Sequence, residues 1–217
     1  AKRAGAALIH YSTDYVFDGS KTSPYTEDDE PRPISAYGRS KLAGERAIQA
    51  VDVPHLILRT SWIYGARGKN FLVTILRLAR EREQLSIVDD QVGAPTWSRA
   101  IAAATGGILE HLGYGQAAFR AACAEKRGIY NLSAAGQTSW HGFAAAILAN
   151  AASAQPGQPA FVLARMPALD PITTEQYPLP ARRPRNSVLS NAKIQSAFGL
   201  AMPDWKSSLE DCMSSDN

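Results

Sequence analysis

The chain has 217 residues, of which 45% are hydrophobic and 20% charged, and its formal net charge is +3. This balance is that of a globular protein of one domain or two small ones, and it excludes disordered and fibrous classes. Because the charge is small and the basic residues are scattered, we expect neither a nucleic acid nor a membrane as a partner. No apolar run approaches the roughly 18–20 residues that span a bilayer. Cys123 and Cys212 form no zinc or disulfide pattern, which fits a reducing, cytoplasmic compartment.

Strands and helices are predicted to alternate along the first two thirds of the chain. In chain order the pattern predicts a strand from about 6 to 13, a loop over 18–33, a helix over 36–50 with Ser35 as its N-cap, a strand over 53–59, a helix over 71–82, a strand over 85–88, a helix over 101–111, a strand over 128–132 and a helix over 140–151. This order implies an α/β protein with a doubly wound, Rossmann-like parallel sheet.

The composition changes beyond residue 154, where prolines recur and long regular elements are not expected. Two short helices are predicted near the end, over 191–198 and 204–213. We therefore predict a dinucleotide-binding domain over 1–154 and a smaller, mixed substrate-binding lobe over 155–217.

The first residue is Ala1 rather than Met, and the chain opens on an apolar run typical of a buried strand. We therefore expect the sequence to be the C-terminal part of a longer, N-terminally truncated protein. In that case its first strand pairs in parallel with the strand over 53–59 and has a free edge on its other side. Such a piece alone is expected to fold poorly and to lack activity.

Tyr37 and Lys41 are the first candidates for chemistry, because residues four apart on a helix share one face. A phenol is a weak proton donor at neutral pH, but a fixed ammonium beside it stabilises the phenolate and makes the phenol a better acid. Ser12 and Thr13 end the first predicted strand, and ligands of open α/β sheets bind at the carboxyl ends of strands. A hydroxyl, a tyrosine and a lysine together indicate proton transfer to a carbonyl or from an alcohol.

Several longer stretches make the pattern more specific, and they resemble the dTDP-4-dehydrorhamnose reductase family of extended short-chain dehydrogenases. The similar stretches are 10–19 (HYSTDYVFDG), 37–45 (YGRSKLAGE), 58–65 (LRTSWIYG) and 90–96 (DQVGAPT), followed by Arg183-Pro184 and Ser187. They cover most of the predicted parallel sheet. The stretch 10–19 differs from the Ser-Thr-x-x-Val-Tyr-Gly form that is usual in nucleotide-sugar epimerases and dehydratases.

The resemblance implies reduction of the C4 keto group of dTDP-4-dehydro-6-deoxy-L-mannose to dTDP-L-rhamnose with NADPH or NADH as cofactor. It implies that Tyr37 supplies the proton, that Lys41 and Tyr37 bind the nicotinamide ribose side of the cofactor, and that Thr13 bonds the reacting oxygen. Asp14 and Trp62 become substrate-binding candidates, the tryptophan by stacking on the sugar.

Further parts of the pocket follow from the same resemblance. Gln91, Gly93 and Thr96 are expected to shape the substrate pocket, and the arginines at 182, 183 and 185 are candidates for the diphosphate. No metal site is expected, because Arg99 lies where some relatives have a magnesium-linked glutamate. A homodimer is compatible with the resemblance.

Three questions stay open at the level of sequence. No Gly-x-x-Gly-x-x-Gly fingerprint occurs in the 217 residues, so the choice between NADH and NADPH is not decided. The same fold also serves the regulatory β subunit of methionine adenosyltransferase, which binds rather than reduces. Another nucleotide-sugar epimerase or dehydratase is the second alternative. The joint presence of Thr13, Tyr37 and Lys41 favours the reductase.

Overall fold

The computed structural model describes residues 1–113, 116–153 and 161–214. Its strands are β1 (Leu8–Thr13), β2 (His55–Thr60), β3 (Ile63–Tyr64), β4 (Gln84–Val88), β5 (Val92–Gly93), β6 (Thr96–Trp97), β7 (Gly128–Asn131), β8 (Thr138–Ser139) and β9 (Ala168–Ile172). Its α-helices are α1 (Ala36–Ala50), α2 (Phe71–Glu81), α3 (Ser98–Leu112), α4 (Gln116–Glu125), α5 (Trp140–Ala152), α6 (Ala192–Phe198) and α7 (Trp205–Ser214).

A parallel three-stranded sheet in the order β1-β2-β7 forms the centre of the fold. Every residue of β2 is buried, as expected for a strand covered on both faces of a parallel sheet. The register pairs Ser12 with Arg59 and Thr13 with Thr60, so the polar ends of β1 and β2 meet at one edge. The predicted α/β class with parallel pairing is confirmed. As predicted, β1 pairs with β2, and among the described residues it has no partner on its other side.

Strand β4 does not belong to this central sheet, although the sequence placed it in the same alternating series. It pairs in parallel with β9, from Gln84 opposite Ala168 to Val88 opposite Ile172. The prediction of no long regular element beyond residue 154 missed β9, whose Pro171 counts against a strand. A proline, which has no N–H to donate, is tolerated here because β9 has only one neighbouring strand in the described chain.

Two large apolar clusters form most of the buried core. One packs α2, α5 and α7 together around fully buried Leu72, Phe143, Ile147 and Leu209. The other lies beneath the central sheet, where Ile108 of α3 and Ile194 of α6 meet Leu56 and Leu58 of β2. Helices α6 and α7 correspond to the two predicted C-terminal helices, whereas α4 was not predicted.

The division of the chain at 154 and 155 stays a prediction, since both residues lie outside the described ranges. The C-terminal segment contacts both clusters, with β9 against β4, α6 against β7 and α7 against α5. Across the described residues, none of the helices combines the length and the apolar character needed to cross a membrane.

Candidate active site

Helix α1 begins beside the end of β1 and carries both predicted catalytic side chains. The Ser35 hydroxyl caps the helix by accepting from the Gly38 N–H at 3.0 Å. A Cβ atom at Gly38 would lie 2.1 Å from the carbonyl oxygen of Tyr15, so only glycine lets the helix approach the turn after β1 this closely. Lys41 Nζ donates to the Tyr11 carbonyl of β1 at 2.6 Å. Tyr37 is 55% exposed and meets the Tyr15 ring edge-on at 6.0 Å.

A buried carboxylate follows the last residue of β1. Thr13 Oγ1 donates to Asp14 Oδ1 at 2.9 Å and accepts from the Tyr15 N–H at 3.2 Å. Ser61 Oγ donates to the other oxygen, Oδ2, also at 2.9 Å. Burial raises the pKa of Asp14 to about 6, while hydrogen bonds from Ser187, Thr13 and Ser61 partly oppose that rise. Asp14 is therefore an acid that titrates close to neutral pH at the edge of the sheet.

A buried ion pair fixes α1 to the sheet one turn beyond Lys41. Arg59 donates to Glu45 through Nε at 3.0 Å and Nη2 at 2.7 Å, and both side chains are 1% exposed. Ser12 Oγ donates to the same carboxylate at 2.5 Å. The guanidinium carbon lies 5.1 Å from the centre of the Phe17 ring, and its remaining nitrogen, Nη1, has no hydrogen-bond partner among the described residues.

Sequence reasoning did not single out this pair, although two signals for it were present. Glu45 follows Lys41 at helical spacing, and Arg59 directly follows the apolar run Leu56-Ile57-Leu58 of a predicted strand. A charged residue that a sheet buries on both faces requires a partner, and the neighbouring helix supplies it.

One cavity of about 300 Å³ brings the predicted residues together. It is lined by Tyr11, Ser12, Thr13, Asp14, Tyr15, Tyr37, Lys41, Thr60, Trp62, Ile63 and Trp140. Thr13, Asp14, Tyr37, Lys41 and Trp62 thus share one cleft at the carboxyl ends of β1 and β2.

Trp62 adopts an unusual conformation at this cleft. Its φ of 43° is the one positive value at a non-glycine residue in the described chain. Its indole stacks on that of Trp140 with ring centroids 3.5 Å apart and planes inclined by 3°. A Cβ atom at Gly93 would lie 2.4 Å from Trp62 Cε2, so the glycine backbone packs directly against the same indole. Trp140, which sequence reasoning did not assign to the site, covers an indole face that we expected to meet a sugar.

A second cavity of about 490 Å³ lies on the other side of Trp140. Gln91, Arg182 and Arg183 line it, together with apolar side chains of α2 and β4 and with residues 177–179. Arg185, the third predicted arginine, instead pairs at the surface with Glu175 at 2.7 Å.

The remaining residues of the predicted loop take structural positions. Thr96 is buried, donating to the Ala94 carbonyl and accepting from the Ala134 N–H, and it lines neither cavity. Arg99 lies over the Trp97 ring at 5.6 Å. In the described ranges no group of three or more His, Cys, Asp or Glu side chains is arranged to hold a metal ion.

Comparison with known proteins agrees with this geometry. The model of the RmlD substrate binding domain family matches residues 1–217. The dTDP-4-dehydrorhamnose reductase of Burkholderia thailandensis is 50% identical over 212 residues, which is 98% of this chain and 68% of that protein. Reductases from Shigella flexneri and Escherichia coli K12 are 43% identical, and the chain covers 64% of each. The chain thus spans about two thirds of the length of these curated relatives.

Solved structures lead to the same family. The dTDP-4-dehydrorhamnose reductase of Clostridium acetobutylicum superposes with a TM-score of 0.81 at 34% identity, covering 98% of this chain and 67% of that one. The reductase of Bacillus anthracis in complex with NADP superposes with a TM-score of 0.80 at 33% identity, covering 97% of this chain and 66% of that one. A family model matched over all 217 residues, with relatives of this similarity, shows that the chain belongs to the RmlD substrate binding domain family of dTDP-4-dehydrorhamnose reductases.

Proposed function

We propose that the full-length protein carrying this chain reduces the C4 keto group of dTDP-4-dehydro-6-deoxy-L-mannose to give dTDP-L-rhamnose. The observation that carries the proposal is the convergence of Thr13, Tyr37 and Lys41 on one cavity, in a chain of the reductase family. A carbonyl that becomes an alcohol needs one proton and one hydride. The residues at this cavity are suited to the proton.

Tyr37 is the proton donor in this proposal, because its exposed phenol borders the cavity and points away from the core. Lys41, one turn away and held by the Tyr11 carbonyl, supplies the positive charge that stabilises the phenolate left after proton transfer. Thr13 positions the reacting oxygen. Its single hydroxyl hydrogen is directed at Asp14, so rotation about the Cβ–Oγ1 bond is needed before it can donate to a ketone.

The proposed cofactor is NADPH or NADH. The B. anthracis relative is in complex with NADP, and the hydroxyl of Tyr37 and the ammonium of Lys41 are hydrogen-bonding groups that suit ribose hydroxyls beside the cavity. Reduced nicotinamide, when bound, would supply the hydride.

The second cavity is the proposed nucleotide site. Arg182 and Arg183 offer guanidinium groups to a diphosphate, and the apolar side chains of α2 and β4 offer a surface to a base. Residues 177–183 belong to the proposed substrate-binding lobe, 155–217, whereas the catalytic candidates belong to the proposed first domain, 1–154. The second cavity is therefore lined by residues of both proposed parts. A cytoplasmic homodimer without nucleic-acid or membrane partners stays a prediction from sequence.

The test compares the full-length protein with its Tyr37→Phe variant. We expect the wild type to oxidise NADPH or NADH when dTDP-4-dehydrorhamnose is added and to form dTDP-L-rhamnose, identified by chromatography and mass spectrometry. Loss of the phenol should lower kcat by about 10²–10⁴. Calorimetry should show that dTDP still binds the variant.

A matched control is Tyr130→Phe, which removes a hydroxyl that donates to the Lys126 carbonyl far from the cleft. It should retain turnover. A wild-type protein that binds dTDP-sugar without reducing it would support a regulatory binding role instead, and an epimerised or dehydrated product would support the other enzyme class. Equal turnover by Tyr37→Phe would remove Tyr37 from the mechanism.

A further inference from the structure

Trp140 occupies a position that the proposed function leaves unexplained, because it lines both the catalytic cavity and the second cavity. A nucleoside diphosphate sugar carries its reacting carbon and its base at opposite ends of a diphosphate. One end suits each cavity, with Arg183 on the side of the nucleotide. The residue between the two cavities therefore meets the part of the ligand where sugar and diphosphate join.

The contact between Trp140 and Trp62 has a geometry that aromatic pairs do not prefer. Their planes are nearly parallel and the centroids are 3.5 Å apart, so the rings lie face to face rather than offset or edge-on. Trp62 also holds a left-handed φ of 43°, which is strained for a residue with a bulky side chain. Such strain persists only where the surroundings impose it, and it is concentrated at ligand-binding sites.

The two indoles are held to different degrees. Trp140 Nε1 donates to Gln91 Oε1 at 3.2 Å, and its ring also packs on Phe71 with centroids 4.7 Å apart. The backbone of Trp62 is held through its carbonyl, which accepts from the Thr96 N–H at 3.2 Å. The Trp62 indole, in contrast, contacts Gly93 and Trp140 and is partly exposed. Trp62 is therefore the partner whose side chain can move.

We propose that Trp140 is a specificity-determining residue for the sugar end of the ligand, and that it reserves the indole face of Trp62 for a sugar ring. When a nucleoside diphosphate sugar binds, the Trp62 indole separates from Trp140 and stacks on the apolar face of the sugar. This movement joins the two cavities. A nucleoside diphosphate without a sugar leaves the pair stacked. This inference rests on the proposed function.

The test measures the affinity of the full-length protein for dTDP and for dTDP-L-rhamnose by calorimetry. The ratio of the two dissociation constants reports what the sugar contributes. Trp62→Leu, which removes the stacking surface, should lower the contribution of the sugar by about three- to tenfold. Trp140→Leu removes the competing indole and should raise the contribution of the sugar to the affinity by a similar factor. Trp140→Phe, a smaller change that guards against misfolding, should give a value between that of Trp140→Leu and the wild type.

Tryptophan emission gives an independent readout. Addition of dTDP-L-rhamnose should change the emission of the wild type and of Trp97→Phe, a control in neither cavity. Binding of dTDP, whose diphosphate lies beside Trp140, should change the emission less, and the difference between the two ligands should be absent in Trp62→Phe. If both ligands bind but Trp140→Leu and Trp140→Phe leave the ratio unchanged or lower it, the inference is wrong while the proposed function stands. If neither ligand binds the wild type, both are wrong.

Discussion

The two walls of the cleft are built by different physical means. The charged wall, as we name it, is Ser12 and Lys41 at the cavity together with the Glu45–Arg59 pair buried behind them, with hydrogen bonds of 2.5–3.0 Å that join α1 to β1 and β2. The aromatic wall is the stacked pair Trp62 and Trp140, with Gly93, which does not line the cavity, packed against Trp62; it is held by stacking and by one strained backbone conformation. Directional bonds define one geometry, whereas face contacts can be exchanged for a ligand. The helix that carries the proposed proton donor is thus fixed, and the aromatic surface proposed to meet the sugar is adjustable.

The charged wall is better explained by positioning than by stability. Removing two charges from water is costly, and replacing a buried pair by apolar residues of similar volume is often neutral or stabilising. The pair Glu45–Arg59 nevertheless specifies which residue of α1 lies against which residue of β2. Since Tyr37 and Lys41 stand on the same helix, the pair also specifies their place relative to Thr13.

The largest expected effect comes from breaking the charged wall. Arg59→Ala leaves Glu45 as an uncompensated buried charge, so the free energy of unfolding of the full-length protein should fall by about 3–5 kcal/mol in urea titrations. The double variant Arg59→Leu with Glu45→Met should recover most of this loss but not the turnover rate.

The control for that experiment is a surface pair on α2. Arg77 and Glu81 form an exposed i, i+4 bridge at 2.8 Å, and Arg77→Ala should cost at most about 0.5 kcal/mol. A similar small loss in Arg59→Ala would contradict the distinction between the two kinds of ion pair.

Asp14 can be compared with Glu45, because both are buried carboxyl groups. Glu45 is paired with an arginine, whereas the hydrogen bonds of Asp14 come from hydroxyl groups. Its pKa is raised from 3.8 to about 6 in the folded protein. Between these values the folded state binds more protons than the unfolded state, so stability falls as pH rises through this window. The fall attributable to Asp14 should be on the order of 2 kcal/mol between pH 4 and pH 7.

The measurement is the free energy of unfolding at several pH values for the wild type and for Asp14→Asn. Other carboxylates titrate in both proteins, so the difference between the two curves isolates Asp14. As pH rises, the free energy of unfolding of Asp14→Asn should increase relative to that of the wild type. Parallel curves would show that the carboxyl group of Asp14 titrates normally.

The smallest of these effects concerns the aromatic wall. Gly93→Ala places a methyl group 2.4 Å from Trp62 Cε2 and 2.8 Å from Ser187 Oγ, which forces the indole to move. Overpacking of this kind should lower stability by about 1–3 kcal/mol and change tryptophan emission.

The matched control is Gly106→Ala in α3, where an added Cβ meets nothing within 4 Å. It should be neutral or stabilising, because alanine favours a helix over glycine. The same sign for both substitutions would argue against tight packing at Gly93.

The sequence was most informative where structure is local. The helix over 36–50 was predicted with its observed bounds, because Ser35 is a good N-cap and the apolar spacing follows it. Thr13 was correctly placed at a strand end. The ladder between β4 and β9 was not predicted, since Pro171 argues against a strand and the pairing joins segments far apart in the chain.

Contacts between distant segments also explain what was missed at the cleft. Trp62 and Trp140 were each visible in the sequence, but no pattern of spacing shows that two indoles will stack. The pair Glu45–Arg59 is a similar case, although an arginine directly after an apolar run was a usable signal. Helix α4 was also missed, although its alanine-rich sequence favours a helix.

Gly38 determines the width of the cleft without taking part in it. It contributes no side chain between α1 and the turn after β1, where an added methyl group would lie 2.1 Å from the Tyr15 carbonyl oxygen and 2.9 Å from Pro33 Cβ. Any other residue would push the helix outward, and its neighbour Tyr37 would move with it. In the proposed reaction, the distance between the Tyr37 phenol and a bound ligand therefore depends on the absence of a side chain at position 38. A single methyl group there should widen the cleft while leaving every residue that lines it unchanged.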